Sequence, residues 1–228
     1  MDRPGGQAGK AYFVRPESGT GPGVLLLHSW WGLTDSVKET AHRLADAGFV
    51  VLVPDLLEGR LPETSAEAEV ELASVDPNST AALLLSSVVT LRSQTDRPDG
   101  PVAVLGYSMG ASWALWLATR QPDSVSSVVA YYGSQDIDFD ELAATVLIHL
   151  AERDDLVSDH ETAYLEAQLR LLDKDVEVIR HPGTAHWFAE RTPADTHDPA
   201  ADDAAWEQTV AFLRRDRPAR PARPARPD

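Results

Sequence analysis

A serine set between glycines, Gly106-Tyr107-Ser108-Met109-Gly110, is the segment of this chain with the most specific chemical meaning. The spacing G-x-S-x-G suits a strand that turns sharply into a helix, where side chains at the glycine positions would collide. That turn strains the serine backbone and exposes its hydroxyl. Both flanks fit: Val102–Leu105 reads as a buried strand and Met109–Arg120 as a helix. A serine hydroxyl is a weak nucleophile. It needs a base to take its proton and an acid to orient that base.

At such an elbow the acid and then the histidine follow the serine in sequence. The downstream histidines are His149, His160, His181, His186 and His197. His149 lies inside an apolar strand and reads as a packed core residue. His160 opens a helix and reads as exposed, as does His197 among its aspartates. His181 and His186 flank Pro182-Gly183-Thr184-Ala185, read as a turn that can reach back over the elbow. His186 is favoured because Trp187-Phe188 would anchor its loop. For the acid, Asp154 and Asp155 both follow the strand ending at Leu150, at the sheet edge where the elbow opens. Spacing does not choose between them, and Asp159 reads as a helix-start acid.

The elements that must position these groups alternate in type. Strands are expected at Val24–His28, Phe49–Val53, Val102–Leu105, Val125–Tyr132, Thr145–Leu150 and Asp175–Arg180. Helices are expected at Ser36–Ala47, Ala66–Ser74, Thr80–Ser93, Met109–Arg120, Ser158–Leu172 and Ala201–Arg215, with Asp35 as an N-cap and Gly48 as a stop. Continuously apolar strands interleaved with helices predict an α/β fold with a mostly parallel, doubly covered sheet. The expectation is a single domain over 1–214, without a large lid. Residues 215–228, containing R-P-A-R-P-A-R-P-A-R-P, are expected to form a disordered Arg/Pro/Ala tail.

Composition removes several function classes. With no cysteine there is no disulfide, thiolate metal site or cysteine nucleophile. No apolar run reaches the roughly 20 residues of a membrane span, and the N-terminus lacks a signal-peptide core, so a cytoplasmic address is expected. The net charge is −16, from 20 Lys+Arg against 36 Asp+Glu. The last fifteen residues hold six Arg and two Asp, leaving −20 on residues 1–213. Such a body repels nucleic acid. No phosphate loop, dinucleotide fingerprint or H-E-x-x-H is present, so neither cofactor nor metal is expected.

From about Tyr12 to Arg214 the chain resembles the dienelactone hydrolase family of α/β-hydrolases. The resemblance rests on His28-Ser29-Trp30-Trp31-Gly32-Leu33, Pro54-Asp55-Leu56, the elbow, Asp154-x-x-Val157, Gly183-x-x-His186-x-Phe188 and Trp206. It implies the α/β-hydrolase fold, and it selects Asp154 as acid and His186 as base. It also implies an oxyanion hole from the backbone N–H groups of Trp30 and Met109, which would hold the charge of a tetrahedral intermediate. Ser29, Trp31, Tyr107 and Trp187, near the predicted site in sequence, are the expected pocket residues. Relatives like the type enzyme carry a cysteine nucleophile and a glutamate at the position of Ser29; here both are serine. Glu190 stands where a carboxylate-binding arginine of the type enzyme would lie, with Arg191 next to it.

The reading is a serine hydrolase of small carboxylic esters or lactones, working through an acyl-enzyme as a monomer or small homo-oligomer. Alternatives on the same residues are a dienelactone hydrolase proper and an amidase or peptidase-like hydrolase. A hydrolase-fold ligand-binding protein with little turnover is the alternative from another class.

Overall fold

The structure, a computed structural model, describes residues 11–192 and 195–215. A seven-stranded sheet runs in the order β1-β3-β2-β4-β5-β6-β7. Its strands are β1 (Ala11–Val14), β2 (Gly23–Leu27), β3 (Val50–Pro54), β4 (Val102–Tyr107), β5 (Val125–Tyr131), β6 (Thr145–Arg153) and β7 (Val176–Ala185). All neighbours pair parallel except β1, which runs antiparallel to β3 at the edge. The helices are α1 (Asp35–Asp46), α2 (Ser65–Ser74), α3 (Pro77–Arg92), α4 (Met109–Arg120), α5 (Asp159–Leu171) and α6 (Pro199–Leu213). This is the α/β-hydrolase architecture expected from the alternating segments.

Side chains alternate across each strand, so the sheet builds two cores. Leu25, Leu27 and Val104 face α3, α4 and α5, meeting Leu84, Val88, Ala114, Leu115 and Leu165. Val24, Leu26 and Leu105 face α1 and α6, meeting Val37, Ala41, Leu44, Ala205 and Phe212. Burial of the central strands on both faces explains why they read as unbroken apolar runs.

Several boundaries differ from expectation, each for a local reason. The N-cap of α1 is Thr34, whose hydroxyl accepts from Val37 N, and Asp35 is the first helical residue. Asp76 caps α3 with Pro77 at its first position, so the apparent break between two helices is the start of the second. Gly48, with φ 102°, follows the end of α1 as expected. β7 runs on to Ala185 instead of stopping at Arg180, and a register shift against β6 replaces the expected turn. Strand β1 was not expected; half-exposed Tyr12 and Val14 alternate with exposed Ala11 and Phe13. His197 is half-buried and bonded to Asp202, where full exposure was expected.

Most of the 215–228 tail lies outside the described residues. At its start, Arg214 donates to the Ala47 carbonyl and Arg215 pairs with Glu177. Among the described residues, no helix is long and apolar enough to cross a membrane.

His149 is a core residue, as its strand implied. A hydrogen bond joins its Nδ1 to His181 Nε2 at 3.0 Å, and another joins its Nε2 to Thr209 Oγ1 at 3.1 Å. Burial, and then the neighbouring His181, push its pKa down to about 3. The unfolded imidazole titrates near 6.5, so the unfolded state takes up this proton first on acidification. The His149 contribution is therefore whole above about pH 6.5 and lost as pH falls towards 3. Between pH 6.5 and 5.5 this one group should cost about 1 kcal/mol of folding stability. His149→Gln should reduce the pH dependence of the urea-unfolding free energy by about that amount; an unchanged dependence would refute it.

Candidate active site

The site is assembled where β4 ends. Ser108 has φ 50° and ψ −114°, a region that L-residues avoid, and it caps α4 without a side-chain capping bond. Such a conformation costs roughly 1–3 kcal/mol and persists only where its surroundings dictate it. Those surroundings are visible at two glycines. A Cβ at Gly106 would collide with the Gly110 carbonyl, and one at Gly110 with the Leu27 and His28 carbonyls. The elbow is thus pressed against the end of β2. Ser108 N donates to the Tyr131 carbonyl at 2.9 Å, which ties it to β5 as well.

His186 follows the last residue of β7. Its Nε2 lies 2.8 Å from Ser108 Oγ, and its Nδ1 lies 2.7 Å from Asp154 Oδ2. The carboxylate is itself held, since Leu156 N and Val157 N both donate to Oδ1 at 2.9 Å. Asp154 is thereby aimed at the imidazole, while Asp155 is exposed and not part of this chain of bonds. With Nδ1–H donating to the carboxylate, Nε2 is free to accept the Ser108 proton. The imidazole is only 4% exposed and is flanked by the rings of Tyr132 and Trp187.

Of the residues tied to the oxyanion position, Met109 opens α4, where first-turn N–H groups lack helical acceptors. Trp30 follows the end of β2, the strand end against which Gly110 is packed. The indole of Trp30 stacks on Trp187 at 5.6 Å between centroids, and Trp31 leans on both. These three rings form one cluster with Ala68 of α2. Tyr107 is not part of it. Its ring packs on Tyr131 and Tyr132 in the core that faces α1 and α6. Trp113 half-lines a small cavity of about 70 Å³ with Met109, Leu56, Leu72, Val75, Pro77 and Thr80.

Two groups, His28 and Glu190, turn out to hold the site's frame. His28 is buried; its Nδ1 donates to the Ser29 carbonyl at 2.6 Å and its Nε2 accepts from Leu56 N at 2.9 Å. Desolvation lowers its pKa, which keeps that single tautomer. Glu190 is 3% exposed and accepts from Ser29 Oγ at 2.7 Å and Tyr132 OH at 3.0 Å. It faces inward, not towards a substrate as its position had suggested. Arg191 is exposed and paired with Glu39. Arg60 is committed to Glu71 and the Leu57 carbonyl, and Arg92 to the carbonyls of Asp99 and Gly100. Only its place four residues after His186 could have pointed to Glu190; nothing local signals its partners.

The model of the dienelactone hydrolase family matches residues 10–216. The chain belongs to that family. Membership places it among carboxylic-ester hydrolases. The chain is 28% identical over 214 residues to "Protein usf" of Aquifex pyrophilus, covering 90% of this chain and 92% of that one. It is 26% identical over 229 residues to "Carboxymethylenebutenolidase 1" of Cupriavidus pinatubonensis, covering 92% and 93%. A dienelactone hydrolase-like promiscuous phosphotriesterase from metagenomic libraries superposes with a TM-score of 0.79. At 21% identity, over 89% of this chain and 90% of that one, it shares the fold.

The geometry around this dienelactone hydrolase family member's Asp154 gives a direct test. Asp154→Asn should lower kcat on an activated ester by roughly 10³–10⁴, because the imidazole loses its charge partner and correct tautomer. Asp155→Asn should change kcat by less than about threefold. The reverse ranking would mean that Asp155 orients the histidine.

Proposed function

We propose that this protein is a serine hydrolase that cleaves short, uncharged carboxylic esters or lactones through an acyl-enzyme. The observation that carries this reading is the Ser108–His186–Asp154 hydrogen-bond chain at a strained elbow, with 2.8 and 2.7 Å links. Ser108 Oγ attacks the ester carbonyl carbon as its proton passes to His186 Nε2. The carbonyl oxygen becomes an oxyanion and accepts from the Trp30 and Met109 N–H groups. Collapse breaks the ester C–O bond, and the leaving alcohol takes the proton from Nε2. For a lactone that alcohol stays attached to the acyl group. A water then loses its proton to His186 and attacks the acyl carbon, releasing the acid and restoring Ser108.

Substrate charge follows from the residues around this chain of bonds. Holding a carboxylate calls for a fixed cation, usually a bidentate Arg. Arg60, Arg92 and Arg191 are each engaged elsewhere. Residues 1–213 add a net −20, which opposes an approaching anion at long range. Trp30, Trp31 and Trp187 supply an aromatic surface, and the cavity beside Met109 has room only for a short chain.

Two measurements test the proposal. A fluorophosphonate should label the protein at Ser108, and Ser108→Ala should abolish both labelling and ester turnover while leaving the fold intact. Turnover that survives in Ser108→Ala would overturn the reading. A neutral ester should also show higher kcat/KM than a carboxylate-bearing analogue with the same leaving group. Added salt should narrow that gap by screening the body's charge. A preference for the anion would overturn the substrate class.

A further inference from the structure

We infer that Glu190 is a positioning residue that latches the Trp30 amide to the turn bearing His186, through the side chain of Ser29. The inference rests on the serine-hydrolase reading above.

Ser29 is completely buried and held through both its hydroxyl and its carbonyl. Its hydroxyl donates to Glu190 Oε2 at 2.7 Å and accepts from Trp31 N at 3.4 Å, while its carbonyl accepts from His28 Nδ1 and from Gly32 N at 3.2 Å. The Ser29 carbonyl and the Trp30 N–H belong to one peptide plane and point in opposite directions. Fixing the carbonyl and the side chain of Ser29 therefore fixes the direction of the Trp30 N–H. A preorganised donor stabilises an oxyanion without having to reorient during the reaction.

The other end of the latch is the turn after β7. Glu190 N donates to the Trp187 carbonyl at 2.9 Å, so the acid is part of the same tight turn that presents His186. Its second oxygen accepts from Tyr132 OH, and the Tyr132 ring lies 4.8 Å from the His186 ring. One carboxyl thus spans the end of β2, the end of β5 and the turn after β7. These segments carry one oxyanion donor, the wall of the imidazole and the imidazole itself.

The latch also depends on ionisation. Both carboxyl oxygens act as acceptors, which is the arrangement of a carboxylate. Burial raises the Glu190 pKa, opposed by the bonds from Ser29 and Tyr132, and leaves it at about 7. The titratable groups that face it are Tyr132 from the end of β5 and Tyr107 from β4, with His186 behind the Tyr132 ring. Among the described residues none of the ion pairs involves Glu190. Protonation puts a hydrogen on one oxygen, so Ser29 or Tyr132 must turn its hydroxyl or release its bond. The carboxylate is the state that keeps the Trp30 amide in place.

The test uses the full chain, a neutral activated ester and the variants E190Q, E190A, S29A and S29A/E190A. E190A should lower kcat by about 10- to 100-fold with KM changed less than about threefold. Acting through one another, the two positions should give a double variant no worse than the poorer single one. E190Q, like the protonated acid, leaves only one acceptor oxygen for the two hydroxyls and should lower kcat at pH 8 by about 10-fold. In the wild type, kcat/KM should show a step of similar size as pH falls through about 7, where Glu190 takes up its proton. E190Q should lack that step. Additive losses in the double variant, or the same step in E190Q as in the wild type, would overturn the inference. Should E190A fail to fold, the near-isosteric E190Q decides by its pH profile alone. Activity surviving in Ser108→Ala would instead remove the underlying mechanism, so the two failures are distinct.

Discussion

The contact between the Gly110 backbone and the carbonyls of Leu27 and His28 is the constraint on which the rest of the site depends. It exists because β4 pairs parallel with β2, so both strands end at the same edge of the sheet. The elbow can then turn only if residue 110 has no side chain. Because it does turn, the N-terminus of α4 and the loop after β2 are brought side by side. The Met109 and Trp30 amides end up on neighbouring segments, although about 80 residues separate them in sequence. The strain at Ser108 is offset by the fully buried strands on both sides, of which Leu26, Leu27, Val104 and Leu105 are inaccessible to solvent.

How much of this was legible in the sequence depended on whether the signal was local. The elbow, the central strands and most helices are local patterns, and they appear where the residues said they would. Asp154 and Asp155 could not be separated by spacing, because the choice rests on which carboxylate receives the Leu156 and Val157 amides. The family resemblance made that choice; the backbone bonds supply its physical reason. Strand β1 was hidden because an edge strand has one weakly buried face, and its Arg15-Pro16 neighbour reads as loop. The Ser29–Glu190 bond was invisible for a different reason. It joins residues 161 positions apart, and a buried acid leaves no periodicity. The place of Glu190 four residues after the histidine, where relatives like the type enzyme carry an arginine, suggested a residue facing substrate, but burial and two hydroxyl donors turn it the other way.

Tyr107 shows the same limit at close range. It sits inside the nucleophile motif, so proximity in sequence suggested a pocket wall. Alternation along β4 sends it instead to the face that packs against Tyr131 and Tyr132. The cluster of Trp30, Trp31 and Trp187 lies instead on loops beyond the strand ends. Direction, not distance along the chain, decides which residues share a site.

The chemistry of position 29 carries the argument one step further. Relatives resembling the type enzyme place a glutamate there beside a cysteine nucleophile, and this chain has serine at both positions. A carboxyl nevertheless lies beside this position, delivered by Glu190 from the turn after β7 and bonded to the Ser29 hydroxyl. A thiol with a pKa near 8.5 can be held as a thiolate, so an acid beside it can govern its charge directly. A serine hydroxyl offers no such stable anion, and its proton must leave during the attack itself. An acid in this place therefore has nothing to titrate on the nucleophile. What remains for it is geometry, and Glu190 is bonded to the serine that precedes Trp30 and to the tyrosine that walls His186. The exchange of cysteine for serine and the inward turn of Glu190 are thus consistent with each other. On the proposed serine mechanism, both favour donors and a base held in fixed directions over a stored negative charge.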